Sequence, residues 1–148
     1  MTIVSTVNSV FDLFCGTGGF SIGFQAAWPD GFRTLLGVDV LKDSLATFSA
    51  NHPAAKVIRE DIRNLSCSEV EMLTGVKRGE LGVLIGGPPC QGFSSIRPFR
   101  SCGVDDPRNS LFEQFANFIN YFRPPVFVME NVVGLATHDS GLTIERIQ

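Results

Sequence analysis

The chain has 148 residues, 44% of them hydrophobic and 18% charged, which is the size and balance of one folded domain and excludes a disordered chain. Twelve Lys and Arg against fifteen Asp and Glu leave a formal charge of −3, which excludes a protein that coats nucleic acid through overall basicity, though not an enzyme with a locally basic site. No apolar run approaches the roughly 18 residues of a membrane span, and residues 1–5 have neither the basic start nor the apolar run of a secretion signal.

Residues 10–14 are a short apolar run that reads as a buried strand, ended by Gly16-Thr17-Gly18-Gly19. Phe20, Gly23, Phe24 and Ala27 then recur at helical spacing until Pro29, predicting a helix with that stripe turned to the core. Residues 34–38 predict a second strand ending at Asp39, and Leu41, Leu45 and Phe48 mark one face of a helix that runs to Asn51-His52-Pro53. Lys56-Val57-Ile58 is a short third strand leading into Glu60-Asp61, and Val70 and Leu73 suggest a short helix. Residues 81–85 form the fourth strand, stopped sharply by Gly86-Gly87-Pro88-Pro89. Residues 91–107 are rich in Ser, Arg, Gly and Pro without any period, and a loop that long in a compact domain points to function. Leu111, Phe112, Phe115, Phe118, Ile119 and Phe122 form one helical stripe, residues 126–129 a fifth strand after Pro124-Pro125, and residues 141–144 the opening of another helix. Such alternation predicts an α/β fold with a mostly parallel sheet and helices on both faces.

In an open parallel sheet, ligands bind beyond the carboxyl ends of the strands, and five features fall there. The turn Gly16-Thr17-Gly18-Gly19 lets backbone approach a ligand closely. Asp39 lies about twenty residues further on, where nucleoside-binding folds place an acid for ribose hydroxyls. Asp61, Cys90 and Glu130 follow strands three, four and five. The turn is neither a phosphate-binding G-x-x-x-x-G-K-[ST] nor a complete G-x-G-x-x-G, so a nucleoside without pyrophosphate is favoured over a dinucleotide. A cysteine is more often an inert buried residue than a nucleophile. Cys90, however, follows the rigid Pro88-Pro89 and precedes polar Gln91-Gly92, with Arg97, Arg100 and Arg108 close by to favour a thiolate. Glu130 reads equally as a helix cap or surface acid and as a partly desolvated carboxyl with a raised pKa, able to donate a proton. None of the four cysteines lies at zinc-ligand spacing from another cysteine or from His52 or His138, so no metal is expected and the thiols read as free in a reducing compartment.

Together, Asp12-Leu13-Phe14-Cys15-Gly16-Thr17-Gly18-Gly19-Phe20, Gly86-Gly87-Pro88-Pro89-Cys90-Gln91-Gly92-Phe93-Ser94, Asp106-Pro107-Arg108-Asn109-Ser110-Leu111-Phe112 and Glu130-Asn131-Val132 resemble the DNA (cytosine-5)-methyltransferases in order and spacing. The resemblance runs from about Val10 to the last residue and implies a Rossmann-like S-adenosylmethionine-dependent fold. It implies cofactor contacts from Phe14, Gly16, Thr17, Gly18, Gly19, Val40, Pro88 and Leu111, with Asp39 on the ribose and Asp61 and Ile62 at the adenine. It implies that the Cys90 thiolate attacks C6 of a flipped-out cytosine while Glu130 holds the N3/N4 edge of the base. Gln91, Ser94, Arg97, Arg100, Arg108 and Asn131 fall in the parts expected to meet DNA, and the arginines against Asp105 and Asp106 leave that loop at +1.

Asp39 stands where the family more often has Glu, and Val40 where a large side chain often covers the adenine. The family's later arginine motif, target-recognition region and C-terminal strands have no counterpart in residues 1–148, so the chain reads as a partial catalytic domain with an open apolar edge at strand five. The expectation is a bacterial cytoplasmic restriction–modification protein acting on DNA, weakly when alone, and associated with the nucleoid; it reads as a truncated product, a cut fragment or one subunit of a split enzyme with a complementing C-terminal chain, with activity alone left open. The alternatives are a non-catalytic cofactor-binding or split-subunit module and a tRNA cytosine-5 methyltransferase.

Overall fold

The computed structural model describes residues 8–89 and 111–130. Five strands form one parallel sheet: β1 (Ser9–Leu13), β2 (Arg33–Asp39), β3 (Lys56–Arg59), β4 (Val83–Gly86) and β5 (Val126–Met129), in the order β3-β2-β1-β4-β5. The helices are α1 (Gly19–Ala27), α2 (Lys42–Asn51), α3 (Cys67–Thr74) and α4 (Leu111–Phe122), with one 3₁₀ turn at Ile62–Asn64. No helix among the described residues is long and apolar enough to cross a membrane.

The two-residue period of a strand divides the core. Phe11 and Leu13 of β1, Leu36 and Val38 of β2 and Leu84 of β4 share one face, where Phe115, Phe118 and Phe122 of α4 and Val70 of α3 cover them. Phe122 meets Phe11 edge-on at 5.2 Å between ring centroids. Burying each such ring contributes about 1.5–3 kcal/mol. Val10, Val83 and Ile85 point to the other face, against Phe24 and Phe32. Gly37 on that face makes room for α2, since a Cβ there would lie 2.4 Å from the Phe48 ring.

The sequence-based elements stand with four corrections. Phe14 leaves β1 with φ +59°, so the strand stops at Leu13. β4 begins at Val83, although Leu81 and Gly82 are buried beside it. The α1 stripe is not core: Phe20, Gly23 and Ala27 are exposed and, with Phe24 and Phe32, line an open apolar groove. Leu41 and Leu73 are exposed as well, leaving Leu45, Phe48 and Val70 to anchor their helices.

β5 pairs with β4 alone among the described residues, and Val126, Phe127 and Val128 remain 38–50% exposed. Chain direction across the sheet reverses between β1, which is followed by β2 on one side, and β4 on the other. Sites form at such a switch point, beyond the carboxyl ends of the strands.

Candidate active site

The turn after β1 is built by backbone geometry that glycine suits. Gly16 and Gly18 have φ of +51° and +91°, in the left-handed region that glycine enters freely. The Cys15 N–H donates to the Val38 carbonyl at 3.0 Å, and the Gly18 N–H to the Cys15 carbonyl at 2.8 Å. Asp39, at the end of β2, fastens this turn. Its Oδ2 accepts from the Gly16 N–H at 2.8 Å and its Oδ1 from the Leu41 N–H at 2.9 Å. A carboxylate offers about four acceptor positions, so two remain for a ligand's hydroxyls.

Beneath the turn, Asp12 is almost fully buried and accepts from the Ser21 hydroxyl at 2.6 Å, tying β1 to α1. Burial raises its pKa to about 6, against the lowering by the Ser21 hydroxyl and peptide, and the charge on Asp39 adds a smaller rise. The same surroundings disqualify Cys15 as a nucleophile. Burial, then the charges on Asp12 and Asp39, drive its thiol pKa far up. Cys67, half-buried beside α4, is pushed up to about 11 by burial.

A cavity of about 410 Å³ opens beside Asp39, lined by Phe14, Val38, Asp39, Val40, Leu41, Glu60, Asp61, Ile62, Gly87, Pro89 and Leu111. Six of the residues expected to touch a cofactor (Phe14, Asp39, Val40, Asp61, Ile62 and Leu111) thus come from four separate segments into one space. Gly16, Thr17, Gly18 and Gly19 do not line it, although Gly16 bonds to Asp39, and Pro88 is buried outside the lining. Val38, Leu41 and Glu60 are lining residues that sequence reasoning missed; Glu60 had a signal, being next to Asp61 at the end of β3.

Asp61 caps the 3₁₀ turn, accepting from the Arg63 N–H at 3.0 Å, and pairs with the Arg63 guanidinium at 2.9 and 2.5 Å. Those bonds hold its carboxyl below the ordinary aspartate range. The described residues lining the cavity include three acids and neither Lys nor Arg. Apolar walls with carboxylates, of which Asp61 alone is paired with a cation, Arg63, suit a nucleoside bearing hydroxyls and positive charge better than a phosphate.

At the far side of the switch point, the Glu130 N–H donates to the Gly86 carbonyl at 2.9 Å, continuing the β4–β5 pairing. The Glu130 Oε2 lies 3.1 Å from where a Cβ on Gly87 would sit, so the absence of a side chain at Gly87 admits the carboxyl beside the Pro88-Pro89 segment. Glu130 is exposed, in line with the surface-acid alternative the sequence left open. Cys90, Gln91, Ser94, Arg97, Arg100, Arg108 and Asn131 lie outside the described residues. Among the described residues, no three metal-ligand side chains cluster.

Comparison with known proteins gives this geometry a family. Residues 8–148 match the sequence model of the C-5 cytosine-specific DNA methylases. The type II methyltransferase M1.HphI of Haemophilus parahaemolyticus is 43% identical over 136 residues, covering 92% of this chain and 35% of the relative. M.AgeI of Thalassovita gelatinovora is 40% identical, covering 90% and 30%. The chain therefore spans about a third of the length of these relatives. Among solved structures, a prophage-encoded E. coli protein described as a candidate DNA modification methyltransferase superposes with a TM-score of 0.75 at 29% identity, covering 94% of this chain and 36% of that one. Spodoptera frugiperda DNMT2 shares the fold, with a TM-score of 0.68 at 18% identity, over 95% of this chain and 40% of that one. A match over nearly the whole chain, on a sheet whose strand ends gather the glycine turn, Asp39 and Glu130, decides the family: this chain belongs to the C-5 cytosine-specific DNA methylases.

Proposed function

We propose that this chain is the cofactor-binding and catalytic part of an enzyme that transfers a methyl group from S-adenosylmethionine to C5 of cytosine in DNA. The observation that carries the reading is the meeting, at adjacent strand ends, of Glu130 with Gly87, two residues before Pro89 and three before Cys90, beside the acid-lined cavity. The cavity suits the cofactor in its apolar walls and its acids, with neither Lys nor Arg among the described lining residues. Asp39 would hold the ribose hydroxyls, Asp61 and Ile62 would meet the adenine, and Phe14, Val40 and Leu111 would flank it. The glycine turn and Pro88 would shape the rest of the site. When bound there, S-adenosylmethionine supplies an electrophilic methyl on a sulfonium sulfur.

The remaining chemistry belongs to the chain. A stacked cytosine hides C6, so the base is extruded first, at a cost of a few kcal/mol. The Cys90 thiolate forms a bond to C6, and the C5–C6 π electrons move into the ring while Glu130 holds the N3/N4 edge and steadies the charge that develops there. C5 would then be electron-rich enough to accept the methyl, whose bond to the sulfonium sulfur would break to leave a neutral thioether. Transfer of the C5 proton to water as base, with expulsion of the Cys90 thiolate, restores the ring and the enzyme. Gln91, Ser94, Arg97, Arg100, Arg108 and Asn131 are the residues we assign to the DNA side. At a net charge of −3 the chain offers sparse positive surface for phosphates, so tight DNA binding in this reading draws on a basic surface supplied by a complementing chain.

The test is covalent trapping on a 5-fluorocytosine oligonucleotide, in which fluorine at C5 prevents the final elimination. With S-adenosylmethionine and a complementing chain present, the wild type forms a denaturant-resistant adduct and Cys90→Ser forms none. An adduct of equal yield in Cys90→Ser would refute the assignment. No adduct in either protein, with cofactor binding intact, would favour a non-catalytic module.

A further inference from the structure

The glycine turn is gripped from a direction that the chemistry above does not use. Asn51, the last residue of α2, donates from Nδ2 to the Thr17 carbonyl at 3.1 Å, across 34 residues of sequence. His52 follows as the C-cap of α2, its N–H donating to the Phe48 carbonyl at 2.8 Å. Its ring stacks at a tilt on Phe48, 4.7 Å between centroids, and is pressed against the turn: a Cβ on Gly18 would lie 2.9 Å from His52 Nε2. His52 is only 3% exposed, and the Gly18 backbone is the polar group its ring meets, without a well-formed hydrogen bond to either nitrogen among the described residues. An apolar ring would fill that space without burying polar nitrogens, so core packing alone does not account for a histidine there. Burial draws the imidazole pKa down, with the Gly18 peptide opposing, so the ring under the turn is favoured neutral.

Three successive residues of the turn are therefore held from outside it: Gly16 at its N–H by Asp39, Thr17 at its carbonyl by Asn51, and Gly18 by contact with His52. We propose that Asn51 and His52 are positioning residues that clamp the glycine turn in its cofactor-accepting shape. The α2 end thereby couples the turn to the Asp39 corner, because α2 begins directly after the Asp39–Leu41 hydrogen bond. Neither residue touches the cavity, so their effect on a ligand passes through the turn. This inference rests on the reading of the turn as part of the S-adenosylmethionine site.

Two measurements on the 148-residue chain test it separately from that reading. The first is amide hydrogen exchange in the wild type, Asn51→Ala and Asn51→Asp, the last nearly isosteric but without the donor. Exchange of the amides of residues 16–19 should rise about tenfold in both variants while β1 and β4 amides stay unchanged. Equal rates, or a uniform rise across the sheet, would overturn the clamp. The second is calorimetric titration with S-adenosylhomocysteine, where both variants should bind about 5–10-fold more weakly than wild type at unchanged thermal midpoint. Wild-type binding that Asn51→Ala and Asn51→Asp leave intact would overturn the link to the cofactor. A wild type that does not bind while the exchange result holds would refute the cofactor reading and leave the mechanical clamp standing.

Discussion

Removing the charge at Asp12 should reshape the pH dependence of stability. Asp12 sits in the central strand, nearly inaccessible to water, with the Ser21 hydroxyl as its hydrogen-bond partner and the charge of Asp39 nearby. Its pKa of about 6 in the fold lies above the ordinary 3.8. For an acid whose pKa is raised on folding, the native state holds the proton more tightly than the unfolded state. The contribution is fully present below pH 3.8 and is lost as pH rises through about 6. Each pKa unit corresponds to about 1.4 kcal/mol, so the full loss is on the order of 3 kcal/mol. Asp12→Asn keeps an oxygen to accept from Ser21 and removes the ionisation. In urea unfolding at a series of pH values, the stability of Asp12→Asn relative to wild type should climb by up to about 3 kcal/mol between pH 4 and pH 7. The other groups titrate in both proteins and cancel in that difference. A difference that stays constant with pH would refute the reasoning, because it would mean that Asp12 ionises as freely in the fold as out of it.

His52 should act with the opposite sign. Its pKa is lowered by burial, so its contribution is present above the unfolded value of 6.5 and is lost as pH falls below 6.5 through the lowered folded value. His52→Phe should flatten that acid-side loss in the same urea series, and a profile parallel to wild type below pH 6.5 would count against it. Gly86→Ala should destabilise the chain by at least about 2 kcal/mol in urea midpoint measurements. The added Cβ would lie 2.3 Å from the Leu13 carbonyl oxygen, a backbone atom that cannot turn aside, and 3.0 Å from the Phe115 ring.

β1, β2 and β4 were legible as apolar runs ended by a glycine turn, Asp39 or Gly-Pro, β3 and β5 as shorter runs leading into Glu60 and Glu130, and α4 because Leu111, Phe115, Phe118 and Phe122 keep a helical period through twelve residues. The same reasoning misplaced the α1 stripe. Gly23 and Ala27 have almost no side chain to bury, so helical periodicity alone does not fix which face of α1 meets the sheet. There, Ser21 is drawn inward by Asp12. The strand-end rule pointed to Asp39 and Asp61, and both line one cavity with Phe14 and with Leu111, which only the family resemblance had singled out. The partners of those residues were not legible. Asp12 with Ser21 and Asn51 with Thr17 depend on how α1 and α2 pack, and no spacing in the sequence encodes that. Asp61 looked available for a ligand until its own 3₁₀ turn brought Arg63 onto it. Phe14 reads as a strand residue by composition, yet its left-handed φ, unusual for a bulky residue, turns it out of β1 into the cavity wall.

Calorimetric titration of the purified chain with S-adenosylhomocysteine, in the wild type and in Asp39→Ala, tests the central claim most directly. The two charge-assisted hydrogen bonds that Asp39 would offer a ribose are together equivalent to about 100-fold in affinity. The account predicts saturable one-to-one binding to the wild type and at least that loss in Asp39→Ala. Wild-type binding that survives the substitution unchanged would contradict it, because the ligand would then occupy a place other than the cavity at the ends of β1, β2 and β3.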